Sequence, residues 1–458
     1  MSTTKLSRTK KSTWAMGSIA DTYMTNALNY LALPIYNMGL GVDPRMIGWA
    51  LGLPRIWDAI SDPLMGNISD NTQTRWGRRR PFILIGAVLC MLMFALIWSP
   101  PTGWSPKSIG WYFIGMTFIY YTAYTIFMVP WGALGLELTS DYNERTRVQA
   151  YRTVFQAVGG LGLGTMWWLA QKWGGGNDVT GVRYVGWAFG ILILVCGVLP
   201  AVFCRENLKH DQEKISFWSA VGATFSNRVF LLLLAVTVCV FLGIFMVNNF
   251  SLYINTYYVF GGDKEGVAKL NMYANFGFQG AGIALVPLIS FIATRIGKKV
   301  TLIGGLLMVV IAYGTSWWLY TPKNPYLQII TLALAAPGLS CMWILSSSMI
   351  ADICDLDEKK TGRRREGMFG ASYSWACKAA GALTMILSGY MLTWSGFDAT
   401  IETHQPEAVI TNMRLLYMLV PMGFVGFAAL LVCFYPLSEK RIHELQAELA
   451  EQEISDED

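Results

Sequence analysis

Charge is scarce in this sequence. Only 14% of its 458 residues are Asp, Glu, Lys or Arg, against roughly a quarter in ordinary soluble domains. With 53% apolar residues and a mean hydropathy of +0.39, the shortage excludes the two or three soluble domains that length alone suggests. Histidine is nearly absent, at three residues, which leaves no basis for a histidine metal site. The eight cysteines form no C-x-x-C pair and lie in or beside apolar runs, so they read as small packing residues rather than a disulfide framework or metal ligands. No cleavable signal peptide is visible; the polar, basic start with Lys5, Arg8, Lys10 and Lys11 reads as a retained cytoplasmic tail. The loops are short and lack a catalytic cluster, so the chain is not expected to be an enzyme, and no soluble part is large enough for a sensor domain.

What is present is a series of apolar runs of about 20 residues, the length that crosses a ~30 Å hydrocarbon core. They predict helices over 14–38, 45–70, 81–99, 109–136, 149–172, 184–204, 228–258, 268–293, 299–320, 326–351, 367–394 and 411–435. Alternate loops are basic, carrying Arg75, Arg78, Arg79 and Arg80, then Arg145 and Arg147, Arg205 and Lys209, Arg295, Lys298 and Lys299, and Arg363 to Arg365. The intervening loops are poor in cations. Positive charge stays on the cytoplasmic side, so both termini are expected there, in a multi-pass protein of the cytoplasmic (inner) membrane.

The chain also echoes itself. Arg75-Trp-Gly-Arg-Arg-Arg-Pro-Phe-Ile-Leu-Ile-Gly86 resembles Arg295-Ile-Gly-Lys-Lys-Val-Thr-Leu-Ile-Gly304, and Tyr151 to Gly159 resembles Tyr373 to Gly381, at offsets of 220 and 222 residues. This predicts an all-α membrane fold of twelve helices in two pseudo-symmetric six-helix bundles: a tail over 1–13, bundles over 14–204 and 228–435, a linker over 205–227 and a tail over 436–458. Such repeats put a substrate site near the midplane.

Charges inside a membrane are expensive and each needs a reason. Arg55, Asp58 and Asp62 share one face of the second helix; their net charge of −1 suits a proton or small cation, or a static ion-pair network. Asp21, Thr25 and Asn29 form a polar stripe on the first helix, suited to sugar hydroxyls or to bonds between helices. Gln149, Arg152 and Gln156 share a face of the fifth helix, and Lys378, near Ser374 and Trp375, lies in its counterpart, the eleventh. Trp57, Trp131, Trp343 and Trp375 fall beside these positions, where a flat ring can carry a sugar's C–H face or simply pack. At the cytoplasmic ends, Gly66-x-x-x-Asp70 with Arg75-x-Gly77-Arg78-Arg79-Arg80 is expected to exchange ion pairs with the acids Asp141 and Glu144, or Asp352, Asp355, Asp357 and Glu358, as a conformational gate.

The loop motif and its echo resemble the major facilitator superfamily. The run Arg55-Ile-Trp-Asp58-Ala-Ile-Ser-Asp62-Pro63-Leu-Met-Gly66, and Ala351-Asp352-Ile-Cys-Asp355 followed by Arg364-Arg365-Glu366-Gly367, resemble the glycoside–pentoside–hexuronide:cation symporter family across nearly the whole membrane portion. The resemblance implies symport of a sugar or sugar derivative with H⁺ or Na⁺. Asp58 and Asp62 match its cation-binding acids. Asp21 and Arg152 match its sugar-binding acid and arginine, Trp343 a tryptophan lining the sugar site, and Lys378 a lysine tied to the cation site. Met128 departs from the pattern, standing where the family's type member has an aspartate; this favours protons over Na⁺ and warns against assuming a galactoside. No cofactor beyond the coupling ion and no nucleic acid is implied. The expected partners are the bilayer and a small sugar, with the monomer sufficient. A carrier of the same superfamily for a lysolipid or organic anion is the alternative.

Overall fold

The computed structural model describes residues 6–139, 142–204, 227–361, 366–398, 401, 405–437, 442 and 444. Asp141, nearly all of the linker over 205–227, residues 362–365 and most of the tail over 436–458 lie outside the described residues. Every regular element described is helical. The helices are α1 (Arg8–Ala32), α2 (Pro44–Asn71), α3 (Arg80–Ile97), α4 (Pro106–Glu137), α5 (Tyr142–Leu163), α6 (Thr165–Trp173), α7 (Asp178–Phe203), α8 (Arg228–Phe245), α9 (Asn248–Tyr253), α10 (Lys264–Ile296), α11 (Lys298–Leu319), α12 (Gln328–Thr361), α13 (Glu366–Trp394) and α14 (Glu407–Cys433). This is the expected all-α membrane architecture.

Seven spans among the described residues are long and apolar enough to cross a bilayer, and the bent α10 supplies an eighth. α1, α2, α5 and α13 are not among them; they carry Asp21, Asp58 and Asp62, Arg152, and Lys378. Hydropathy is weakest where the expected chemistry is concentrated.

Three helices run past their expected ends, α1 starting at Arg8, α7 at Asp178 and α12 continuing to Thr361, and two others break. The helix over 149–172 starts earlier, at Tyr142, and breaks at Gly164 into α5 and α6. A side chain at Gly164 would put its Cβ 2.7 Å from that of Asn275, so the break sits where another helix comes close. The helix over 228–258 breaks at Met246 and Val247 before α9. The internal echo is carried into backbone conformation. α1 runs into a π-helical turn over Leu33–Asn37, and α9 into one over Ile254–Val259, with an offset near that of the sequence repeat. Gly77 and Gly297, paired by the repeat, both have positive φ, 109° and 84°, a region an L side chain rarely adopts.

The chain divides into two compact units. The first comprises Met1–Asp211 with Phe260–Gln279 and Met385–Pro406. Here α1 packs along α5 and α7, α2 along α4, and α3 between α4 and α7. Lipid offers no hydrophobic drive between helices, so close packing through small residues holds them. Trp14 and Trp131 stack at 5.3 Å, and each indole N–H donates to the other's backbone carbonyl at 3.1 Å. Gly17 and Gly135 make room for these rings, since a Cβ on either would overlap an indole. The same unit contains two tight crossings. A Cβ at Gly389 would lie 2.4 Å from the Pro44 carbonyl oxygen, and one at Gly48 2.8 Å from that of Met385. The Asn275 amide donates to the Gly160 carbonyl at 2.9 Å and accepts from the Tyr30 hydroxyl at 3.0 Å.

The second unit comprises Gln212–Val259, Gly280–Thr384 and Glu407–Asp458. α11 packs on α12 and α14, and α8 on α14. Tyr320, Tyr417 and Ser251 share a buried hydroxyl cluster, with 2.9 Å between the two phenol oxygens.

Candidate functional site

The first unit gathers five of the expected charges around α1, α2, α4 and α5. Asp21 is 6% exposed. Its carboxylate accepts from the Tyr124 hydroxyl at 2.8 Å and lies 3.8 Å from Arg152 Nη2. The Arg152 guanidinium sits 5.0 Å from the centroid of the Trp131 ring. A planar, delocalised cation on an aromatic face keeps its donor fork oriented. Trp131 itself is fully buried, with Trp14 and Phe127 stacked on it. The expectation of Trp131 as a platform for a sugar is therefore corrected: Trp14, Phe127 and the Arg152 guanidinium together enclose the ring and leave no face for a ligand.

The stripe on α1 is only partly directed outward. Thr25 donates to the Asp21 carbonyl at 2.8 Å, and the Asn29 amide leans back toward the Thr25 carbonyl at 3.4 Å. These are bonds to the preceding turn. Gln156 is exposed. Trp57 donates to Thr122 at 3.2 Å and packs on Phe118, so it ties α2 to α4.

α2 presents two further acids. Asp58 is 1% exposed, with Arg55 Nη1 3.9 Å from its carboxylate. Arg55 also donates to the Thr25 carbonyl at 3.3 Å and lies over the Tyr121 ring. Asp62 accepts from Thr125 Oγ1 at 3.1 Å, and Thr125 Oγ1 is 3.2 Å from Ser61 Oγ. Ser61, Asp62 and Thr125 thus join carboxylate and hydroxyl oxygens of α2 and α4, with Asp58 one turn before Asp62 on the same helix. Pro63 lacks an N–H, so it leaves the Ala59 carbonyl without its usual helical donor on the same stretch. Hard monovalent cations and protons are what such oxygens hold. Met128 is one turn beyond Thr125 and half-buried.

In the second unit, Trp343 and Trp375 are 48% and 40% exposed, as a ligand-facing or lipid-facing ring must be. Trp343 packs edge-on against Phe241 at 5.7 Å. Lys378 is half-buried on α13, one turn beyond Trp375.

Several gate residues are paired among the described residues. Arg79 bridges Asp70 and Glu137 at 2.8 Å each, and Arg78 reaches Glu137 at 3.1 Å. Glu137, at the end of α4, is an acid of this cluster that the expectation did not include. Arg75 is exposed. Glu144 pairs with Lys11 at 2.8 Å and with Arg147. In the second unit Lys298 holds Asp352 at 2.7 Å, as the echo suggests, and Asp355 is half-buried nearby on α12. Arg80 caps the carbonyls of Ala201 and Val202, and Lys299 caps those of Cys433 and Tyr435. The two loops thus end their neighbouring helices alike, each cation completing carbonyls that a helix C-terminus leaves open.

The bonds from Lys11 and Arg147 hold the Glu144 carboxyl below the ordinary glutamate range. Its folded value is depressed, so its contribution is fully present above the unfolded value and is lost as pH falls through the folded one. Glu144→Gln should therefore flatten the acid side of a melting-temperature profile below about pH 4.5, leaving the neutral side little changed in shape. An acid limb as steep as the wild type's would show that the pair contributes nothing.

Sequence reasoning missed Tyr121, Tyr124, Ser61, Thr125, Glu137 and Lys11. A signal existed for two of them: Tyr121 and Thr125 stand seven and three residues before Met128, on its helical face.

Comparison with known proteins places the chain in a family. The family model for MFS/sugar transport proteins matches residues 13–439. The glucuronide carrier protein homolog of Escherichia coli is 27% identical, covering 95% of this chain and 94% of that protein. The sodium-dependent lysophosphatidylcholine symporter 1 of Gallus gallus is 24% identical, over 96% and 88%. Among solved structures, the D-xylose-proton symporter superposes with a TM-score of 0.65 at 14% identity, covering 93% of this chain and 97% of that one.

Proposed function

Because the chain belongs to the MFS/sugar transport family, we propose that it imports a glycoside, pentoside or hexuronide by symport with Na⁺ or H⁺. It acts as a transporter and not as an enzyme. The observation that carries this reading is the oxygen set of Asp58, Ser61, Asp62 and Thr125 beside the Asp21–Tyr124–Arg152 cluster. Asp58 and Asp62 take the cation. Asp21 and Arg152 take sugar hydroxyls, with Asn29 and Gln156 at the margin. Trp343 and Trp375 offer ring faces, and Lys378 couples sugar and cation.

The proposed frame is twelve crossings of the inner membrane, both termini cytoplasmic, with bundles over 14–204 and 228–435 and the monomer as the working unit. The two hydroxyls restore oxygen ligands that Met128 does not supply, which favours Na⁺ as the first cation to test.

Transport needs a second state in which the crossings at Gly48 and Gly389 open. A larger side chain there costs typically 1–3 kcal/mol by overpacking, so it biases the equilibrium by about 5- to 150-fold. Gly389→Val should therefore shift the carrier toward the outward-open form. A single cysteine at Trp49 should then react faster with an impermeant maleimide from outside. An unchanged labelling rate would remove these glycines from the gate.

A screen of the purified protein against glycosides, hexuronates and lysolipids, with and without Na⁺ and at two pH values, tests the substrate class. A ligand at 100 times its dissociation constant stabilises by about 2.7 kcal/mol. Stabilisation by a sugar supports the reading. The likeness to a lysophosphatidylcholine symporter makes a lipid the second reading, and stabilisation by lysolipid alone would select it.

A further inference from the structure

Arg55 is held by three contacts from three helices. Its Nη2 donates to the Thr25 carbonyl on α1 at 3.3 Å, its guanidinium carbon lies 4.7 Å from the centroid of the Tyr121 ring on α4, and its Nη1 stands 3.9 Å from Asp58 on its own helix. The last distance is the informative one. An arginine next to a carboxylate ordinarily closes to about 2.7–2.9 Å. Three residues apart on a helix, the two groups are near enough to do so. Here the pair is about 1 Å longer than a charge-assisted hydrogen bond, and the other two contacts pull the guanidinium away from the acid.

The Tyr121 ring is built to hold that position. It is fully buried and packs edge-to-face between Tyr120 at 5.6 Å and Tyr124 at 6.1 Å. Its plane is therefore set by neighbours on both sides. A cation over a desolvated ring face is attracted to it, and the Thr25 carbonyl fixes the other end of the fork.

We infer that Tyr121 is a positioning residue for the coupling cation: its ring keeps Arg55 from closing on Asp58, so an arriving cation competes with a long ion pair rather than a short one. The inference rests on the assignment of Asp58 to the cation. Removing the ring lets the arginine close. The cation then needs a higher concentration to take the carboxylate, while a carrier already saturated with cation works as before. The hydroxyl plays no part in this, so phenylalanine should serve equally well.

The test is sugar uptake into proteoliposomes, titrated with the coupling cation, for the wild type and for Tyr121→Phe, Tyr121→Leu and Tyr121→Met. Methionine fills the ring's space without a π face and guards against a folding defect in the leucine variant. The half-saturating cation concentration should rise about tenfold in the leucine and methionine variants and stay within about twofold in the phenylalanine variant. Maximal uptake at saturating cation should stay within about twofold in all three. A purely packing role would lower maximal uptake or melting temperature and leave the half-saturating concentration alone; that result, or equal shifts in the phenylalanine and methionine variants, would overturn the inference. Wild-type uptake that ignores both Na⁺ and pH would overturn the cation assignment itself, and the inference with it.

Discussion

Asp58→Cys should abolish cation-driven accumulation while leaving some sugar binding. At one-to-one coupling, a tenfold cation gradient is worth about 1.4 kcal/mol and supports about tenfold accumulation of the sugar. Without the carboxylate the cation loses its principal charged ligand, and the ratio should fall to about one. Asp58 is 1% exposed; a charge buried so deeply in a membrane protein is retained for function or for pairing. Cysteine is smaller and apolar; Arg55 loses its acid but keeps the Thr25 carbonyl and the Tyr121 ring. The counterflow of labelled for unlabelled sugar, which needs no gradient, separates binding from coupling. Retained accumulation in this variant would remove Asp58 from the cation site.

Arg152→Ala should lose sugar binding outright. Truncating one partner of a hydrogen-bonded charge pair in a binding site typically costs about 2–5 kcal/mol, or about 30-fold and upward in affinity. Two losses combine here: the donor fork for substrate hydroxyls, and the cation that faces Asp21 at 3.8 Å over the Trp131 ring. Arg152→Lys should recover little, because an ammonium group keeps the charge but neither the fork nor the ring stacking. Affinity is read by calorimetry or by a binding-dependent melting shift. Lysine restoring wild-type affinity would reduce the role of Arg152 to charge alone.

How far the sequence carries depends on what each residue has to contribute. Arg55, Asp58, Asp62 and Asp21 are legible because a charge in an apolar run has no cheap explanation. The repeat is legible through Gly77 and Gly297, and both glycines adopt the left-handed conformation that makes them necessary. Trp131 misleads because an indole beside an arginine reads the same whether its face is open or buried; only packing against Trp14 and Phe127 decides. Glu137 escapes notice because it ends an apolar run rather than interrupting one, although it receives Arg78 and Arg79. Tyr121 and Tyr124 look like apolar membrane residues until their positions over Arg55 and against Asp21 are seen. The break at Met246 and Val247 has no Gly or Pro at it to announce it.

The most direct test of the central claim is uptake of a labelled glucuronide or glycoside, chosen from the stabilisation screen, into proteoliposomes with an imposed inward Na⁺ or pH gradient. The account predicts accumulation above equilibrium that depends on one of these gradients, collapses with the matching ionophore and is absent in Asp58→Cys. Uptake that only equilibrates whatever the gradient, or that is unchanged in Asp58→Cys, would contradict it.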